Sequence, residues 1–180
     1  MRIDEIQFTK SGTLEKFIIL TAAATNNPQW LVNYLAAKNE AEIIPLSVLS
    51  TSIPSPKNNN FVILTGLELP ILAESISLRT ALSGIESLRK KCANVCICLT
   101  ISEALVNEET SNGATYNTLV KSLFYEAQLI LQLQPLPTGR AKDVTGRLVI
   151  AKGPKNQQQI LAKDLSYFVN RKGVVDLFTV

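Results

Sequence analysis

The sequence predicts an α/β domain with a mainly parallel sheet at the front of the chain and antiparallel strands at the back. Two observations carry that prediction. Short, nearly continuous apolar runs alternate with helix-length amphipathic stretches up to about residue 127, and beyond it strand-like segments follow one another with only turns between them. The length adds a bound: 180 residues, 46% of them hydrophobic, suffice for one buried core and are few for two, so a single domain spanning 1–180 is expected.

The first run, "KFIILT" (16–21), has the character of a strand buried on both faces. In "AAATNNPQWLVNYLAAKN", which follows, Asn27 is placed to cap a helix with Pro28 in its first turn. Trp30, Leu31, Tyr34 and Leu35 fall on one stripe of that helix. Residues 41–50 read as a second strand that Pro45 assigns to a sheet edge. After a polar loop at 51–60, "FVILTG" (61–66) forms a third strand. The segment 69–91 reads as one helix with Leu72, Ile76, Leu82, Ile85 and Leu88 inward, and "NVCICLT" (94–100) as the next buried strand.

Acidic and small polar residues at 107–117 predict a loop, and 118–127 a short helix with Leu119, Leu123 and Phe124 inward. Strands are then expected in 128–136, 146–153, 165–170 and 174–180, joined as hairpins.

Composition excludes several functions. The chain has no histidine, which removes Ser-His-Asp and Cys-His nucleophile pairs and every imidazole zinc site. Its net charge of +3 is far from the basic stripe of a dedicated nucleic-acid binder. Three cysteines, the absence of an Asn-x-Ser/Thr acceptor and an opening "MRIDEIQFTK" unlike a signal peptide predict a reducing location, cytoplasmic or also nuclear. Cys92, Cys96 and Cys98 lack a fourth ligand and read as small core residues, so neither a metal nor another cofactor is expected. Trp30 reads as an anchor between helix and sheet.

Phosphate chemistry has three possible places, and each lacks its residues. After the first strand, "TAAATNNPQW" has neither glycine nor lysine. The third strand ends in Thr65, and Glu68 lies beyond Gly66, past the expected sheet edge, where a Walker B acid would end the strand itself. In "LPTGRAKDVTGRLVIAKG" (136–153), Gly139 and Gly146 are six residues apart and a strand follows where a P-loop needs a helix. No autonomous ATPase is expected.

That last stretch has two readings. It is a tight connection in which Gly139 and Gly146 supply unusual backbone angles while Asp143 and Thr145 bond locally. Or it presents Arg140, Lys142 and Arg147 as a basic tip to a partner or to RNA phosphates.

"SLFYEAQLILQLQPLPTGRAKDVTGRLVIAKG", with its "PL-x-TG-x-x-KDVTG" segment between two strands, resembles the C-terminal signature of the sixth-subunit family of the Elongator complex. The resemblance continues more loosely through "LSYFVNRKGVVDLFTV". Upstream, "FIILTAAATNNPQWLVNYL" with its Trp-x-x-Asn pattern, and "FVILTGLELPILAESI", are similar to the family's first strand and helix and its central strand and apolar helix. The specific part is about residues 120–153; the rest is general α/β patterning.

The resemblance implies a RecA-like three-layer domain without Walker motifs. It implies partners too: a hexameric ring with two copies each of this subunit and the fourth and fifth Elongator subunits. Such a ring binds tRNA, attaches to the larger catalytic subcomplex and supports 5-carboxymethyl-type modification of wobble uridine U34. Arg140, Lys142 and Arg147 are then expected at an interface or facing RNA. The acidic stretch 101–116, with Glu103, Glu108 and Glu109, is expected to keep off phosphate. A stand-alone RNA-binding module and a nucleotide-binding enzyme without Walker motifs are the alternatives.

Overall fold

The computed structural model describes residues 16–57, 60–106, 109–137, 143–156, 162–170 and 172–179. Its elements run β1 (Phe17–Ala23), α1 (Gln29–Asn39), β2 (Glu42–Pro45), β3 (Phe61–Thr65), α2 (Glu68–Leu72), α3 (Leu78–Lys91), β4 (Asn94–Ile101), α4 (Ser111–Glu126), β5 (Leu129–Gln134), β6 (Gly146–Lys152), β7 (Lys163–Val169) and β8 (Val175–Thr179). The strands form one eight-stranded sheet in the order β2-β3-β4-β1-β5-β6-β7-β8. Pairing is parallel from β2 to β5 and antiparallel from β5 to β8. The fold class read from the sequence is therefore the one observed.

Two cores sandwich this sheet, and the period of two along each strand decides which side chain joins which. Ile18, Leu20 and Ala22 of β1 face α1, where they meet Leu31, Val32 and Leu35. Phe17 and Ile19 face the opposite layer of α2, α3 and α4, where Ile71, Ile85, Leu88, Leu119 and Leu123 are buried. Burial on both faces is why β1, β3 and β4 are continuous apolar runs. In β5 and β6 buried and half-buried residues alternate, and Leu148, Ile150, Leu165, Tyr167 and Leu177 of β6 to β8 all join the α1 side.

Local signals set the helix starts. Pro28 takes the N-cap position of α1 instead of its first turn, with no side-chain cap of its own, and Asn27 Oδ1 just before it accepts the Gln29 N–H at 2.9 Å. Leu31 and Leu35 are buried, while Trp30 and Tyr34 pack half-buried against the same core. β2 is an edge strand, as Pro45 indicated, but it is only four residues long, because residues 46–50 leave it in a turn closed by Ser50 N–H to Ser47 O.

The structure corrects two helices. Residues 69–91 are not one helix: Glu74 takes a left-handed φ of 57°, and Ser77 restarts the chain by accepting the Thr80 N–H at 3.1 Å. A serine that caps from the extended region cannot lie inside a helix. The expected loop 107–117 is helical from Ser111 onward, because Thr110 Oγ1 caps α4 through the Gly113 N–H at 3.1 Å. Among the described residues, no helix is long and apolar enough to cross a membrane.

Candidate functional site at the end of the parallel strands

In an open α/β sheet, ligands sit beyond the C-terminal ends of strands, where neighbouring connections leave to opposite faces. Here β1 and β4 are neighbours, and the helices that follow them, α1 and α4, pack on opposite faces. The crevice beyond Ala23 and Ile101 is therefore the position at which this architecture would hold a ligand.

The wall contributed by β1 is closed by its own hydrogen bonds. Asn26 is 7% exposed; its N–H donates to Ala23 O at 2.8 Å. Its side-chain Nδ2 donates to the Tyr167 hydroxyl at 2.7 Å and to Gln134 O at 3.3 Å. Pro28 has no N–H, and that of Gln29 is taken by Asn27. The N–H groups of Leu31 and Val32 already donate to Pro28 O. A phosphate cradle needs successive N–H groups converging on open space, and those of Asn26, Gln29, Leu31 and Val32 are engaged here.

Tyr167 anchors this knot. Its ring lies 5.0 Å from that of Trp30 at 42°, which confirms Trp30 as a helix–sheet anchor. Burial raises the Tyr167 phenol above its usual range, opposed by its hydrogen bonds. Gly146 completes the knot by having no side chain. A Cβ there would stand 2.7 Å from Asn26 Nδ2, 2.7 Å from Gln134 O and 2.9 Å from the Tyr167 hydroxyl.

This corrects the reading of the 136–153 connection. Gly146 has no left-handed φ, and close approach is what demands it. Thr145 does not bond locally either: its N–H donates to Tyr167 O at 2.7 Å, and its hydroxyl accepts the Val169 N–H at 2.9 Å, both across to β7.

On the far wall, Glu68 opens α2 but turns back beneath the end of β4, where Oε2 is buried without a hydrogen-bond partner. It thus lies within the crevice and not past the sheet edge as the sequence suggested. Burial raises its carboxyl above the ordinary range, against hydrogen bonds from its own backbone and from Thr100. The Tyr116 hydroxyl donates to Thr100 O at 2.7 Å, and burial, with Glu68 nearby, raises its phenol strongly. Among the described residues, no group of three or more acidic or cysteine side chains is arranged to hold a metal ion.

The cysteines behave as core residues. All three are buried free thiols, and Cys92 lies on the other side of the sheet from Cys96 and Cys98. Burial pushes the Cys98 thiol up to about 12 and Cys96 well above its usual range.

Of the basic residues singled out in the sequence, Arg140 and Lys142 lie outside the described residues, as does Gly139. Arg147 extends from β6 on the face opposite Leu148 and Ile150, and its Nε donates to Asp164 Oδ1 at 3.1 Å while Nη2 pairs with Oδ2. That hydrogen bond and the Asp164 charge raise the guanidinium pKa further. Arg147 is therefore held in a fork-to-fork pair across β6 and β7. In the acidic stretch, Glu103 and Glu109 are exposed, and Glu108 lies outside the described residues.

The Asn26–Tyr167–Gly146 knot and the Glu68–Thr100–Tyr116 cluster were both missed by sequence reasoning. "TNNP" announces a helix start, and nothing in it distinguishes Asn26 from Asn27.

No protein-family profile matches the chain. No curated protein sequence matches it either. Among solved structures, it is similar to the KaiC-like protein PH0186 of the hyperthermophilic archaeon Pyrococcus horikoshii OT3, with a TM-score of 0.50 over 96% of this chain and 94% of that one. At 8% identity the likeness is one of fold, and the fold is RecA-like.

Proposed function

We propose that this chain is a non-catalytic RecA-like subunit of the Elongator ring, of the sixth-subunit kind, assembled with two copies each of itself and of the fourth and fifth subunits. The non-catalytic part is supported by the wall of the crevice that β1 contributes. Where the fold would place a phosphate loop, Asn26 reaches across to Tyr167 and Gln134, and the N–H groups of Asn26 and Gln29 are engaged within the protein. The Elongator part is supported by the "PL-x-TG-x-x-KDVTG" segment at 135–146, lying on a chain whose fold is RecA-like.

In this reading the assembled ring binds tRNA and supports wobble uridine modification by the larger subcomplex, and this subunit shapes the ring. The Arg147–Asp164 pair fixes one end of the basic segment against β7, and in this reading Arg140 and Lys142 are the residues for a neighbouring subunit or RNA. Any phosphate contact is shared across subunits, in keeping with a net charge of only +3.

Light scattering on a sizing column tests the proposal, with the chain alone and mixed with the fourth and fifth subunits. A hexamer containing all three chains is expected, and Arg140→Glu, Lys142→Glu and Arg147→Glu in that hexamer then separate assembly from tRNA binding. A chain that ignores both partners refutes the assignment. Saturable binding of a nucleoside triphosphate to the isolated chain refutes the closed crevice as the reason for inactivity.

A further inference from the structure

A cleft of about 430 Å³ lies away from the crevice, between the 51–57 loop and α3, lined among others by Ser55, Pro56, Arg79, Ser83, Ser87 and Lys91. Its lining holds two cations and five hydroxyls and no carboxylate. Arg79 and Lys91 are exposed, and neither forms an ion pair among the described residues. Other α3 cations are engaged: Arg89 and Lys90 both pair with Glu86. The lining is thus complementary to an anion.

The loop that forms the opposite wall is held at two points. Ile53 sits so closely on α3 that a Cβ at Gly84 would stand 3.0 Å from its side chain, and the Lys57 N–H donates to Glu42 Oε2 at 2.8 Å. Between these points runs Pro54-Ser55-Pro56, with Ser55 exposed. Ile53 and Ser55 each precede a proline, which biases both toward extended backbone, and Pro56 has no N–H. An exposed serine in an extended segment, followed by proline, is what a proline-directed kinase accepts.

We propose that Ser55 is a phosphorylation site and that Arg79 and Lys91 receive its phosphate, clamping the 51–57 loop to α3. In the transfer, Ser55 Oγ attacks the γ-phosphorus of a nucleoside triphosphate held by a proline-directed serine kinase. The bond from that phosphorus to the leaving nucleoside diphosphate breaks, and the hydroxyl proton passes to the kinase's base. The product carries close to two negative charges at neutral pH and three acceptor oxygens, for which a guanidinium fork and an ammonium are suited partners. Lys57 on the loop and Glu42 on β2 are the other charged groups close to the segment. This inference is independent of the Elongator reading, because the cleft lies away from the crevice.

The test incubates the full chain with a proline-directed serine kinase and ATP, and follows incorporation by intact mass and fragment mass. One phosphate at Ser55 is expected, and none in Ser55→Ala. A phosphorus NMR titration then reads the second ionisation of the phosphoserine. It is expected at least half a unit below its ordinary value of about 6 in the wild type, and back near it in Arg79→Gln/Lys91→Gln. Failure to modify Ser55, an ordinary ionisation in the wild type, or a lowered one that survives the double substitution would each overturn the proposal.

Discussion

Replacing Gly146 by alanine tests whether the crevice is closed by the Asn26 knot. The added methyl would stand 2.7 Å from Asn26 Nδ2, 2.7 Å from Gln134 O and 2.9 Å from the Tyr167 hydroxyl, all closer than Cβ atoms approach their neighbours. Gln134 O belongs to the backbone of β5, hydrogen-bonded into the sheet, so the Asn26 side chain is the part that yields. Its departure removes the bonds to Tyr167 and Gln134, each worth ~0.5–1.5 kcal/mol. Residual overpacking adds ~1–3 kcal/mol.

The expected destabilisation is therefore about 4 kcal/mol, a large share of the ~5–15 kcal/mol that a typical domain has, and roughly 8–16 °C in Tm. Urea unfolding followed by the fluorescence of Trp30 suits the question, because the chain's single tryptophan packs on Tyr167. Gly173→Ala is the control: its Cβ would meet nothing within 4 Å, and only the φ of 77° opposes it, at ~1–2 kcal/mol. In a double variant with Asn26→Ala, the loss at Gly146 should shrink, since the group it displaces is gone. A loss below ~0.5 kcal/mol for Gly146→Ala would refute the knot.

Two further outcomes are expected. The raised carboxyl of Glu68 binds its proton more tightly folded than unfolded, so its contribution to stability is greatest below the ordinary value of 4.5 and declines as pH rises from there through the folded pKa. Glu68→Gln should therefore stabilise the protein at neutral pH, with the gain vanishing below 4.5; urea midpoints across pH check it, and a gain that grows on acidification would contradict the sign. The second concerns the thiols: with Cys98 pushed up to about 12 and all three cysteines buried, a thiol-reactive dye at pH 8 should label the native chain only as fast as it opens, and promptly in denaturant.

The strands were legible because burial on both faces writes itself into composition: Phe17–Leu20, Phe61–Leu64 and Val95–Leu99 have few polar side chains to confuse the reading. The antiparallel half was legible from the alternation in "LILQLQ" and "GRLVIAK". Helix limits were less so. Ser77 and Thr110 act as caps because they themselves take extended backbone, and in the sequence each is one more polar residue beside a helical pattern. The empty positions of a phosphate site were visible as missing glycine and lysine, but what fills them was not. Asn26 meets Tyr167 across 141 positions of chain, and Glu68 turns inward under a strand that begins 26 residues later. Such contacts leave no periodic trace.

The placement of β1 also bears on the order in which the chain can become native. It is the first strand among the described residues, yet its neighbours in the sheet are β4 and β5, and its entry residue Phe17 donates its N–H to Gln128 Oε1, 111 positions away. Closing loops of that length precedes any reward from the contacts they make, so the centre of the sheet forms late and folding is expected to be slow for the chain's size. During synthesis the "FIILTAA" segment waits without its neighbours, an apolar strand with both edges open. Loss of β7 would then be felt far off in the chain, in the Asn26 turn that the Tyr167 hydroxyl helps to hold in place.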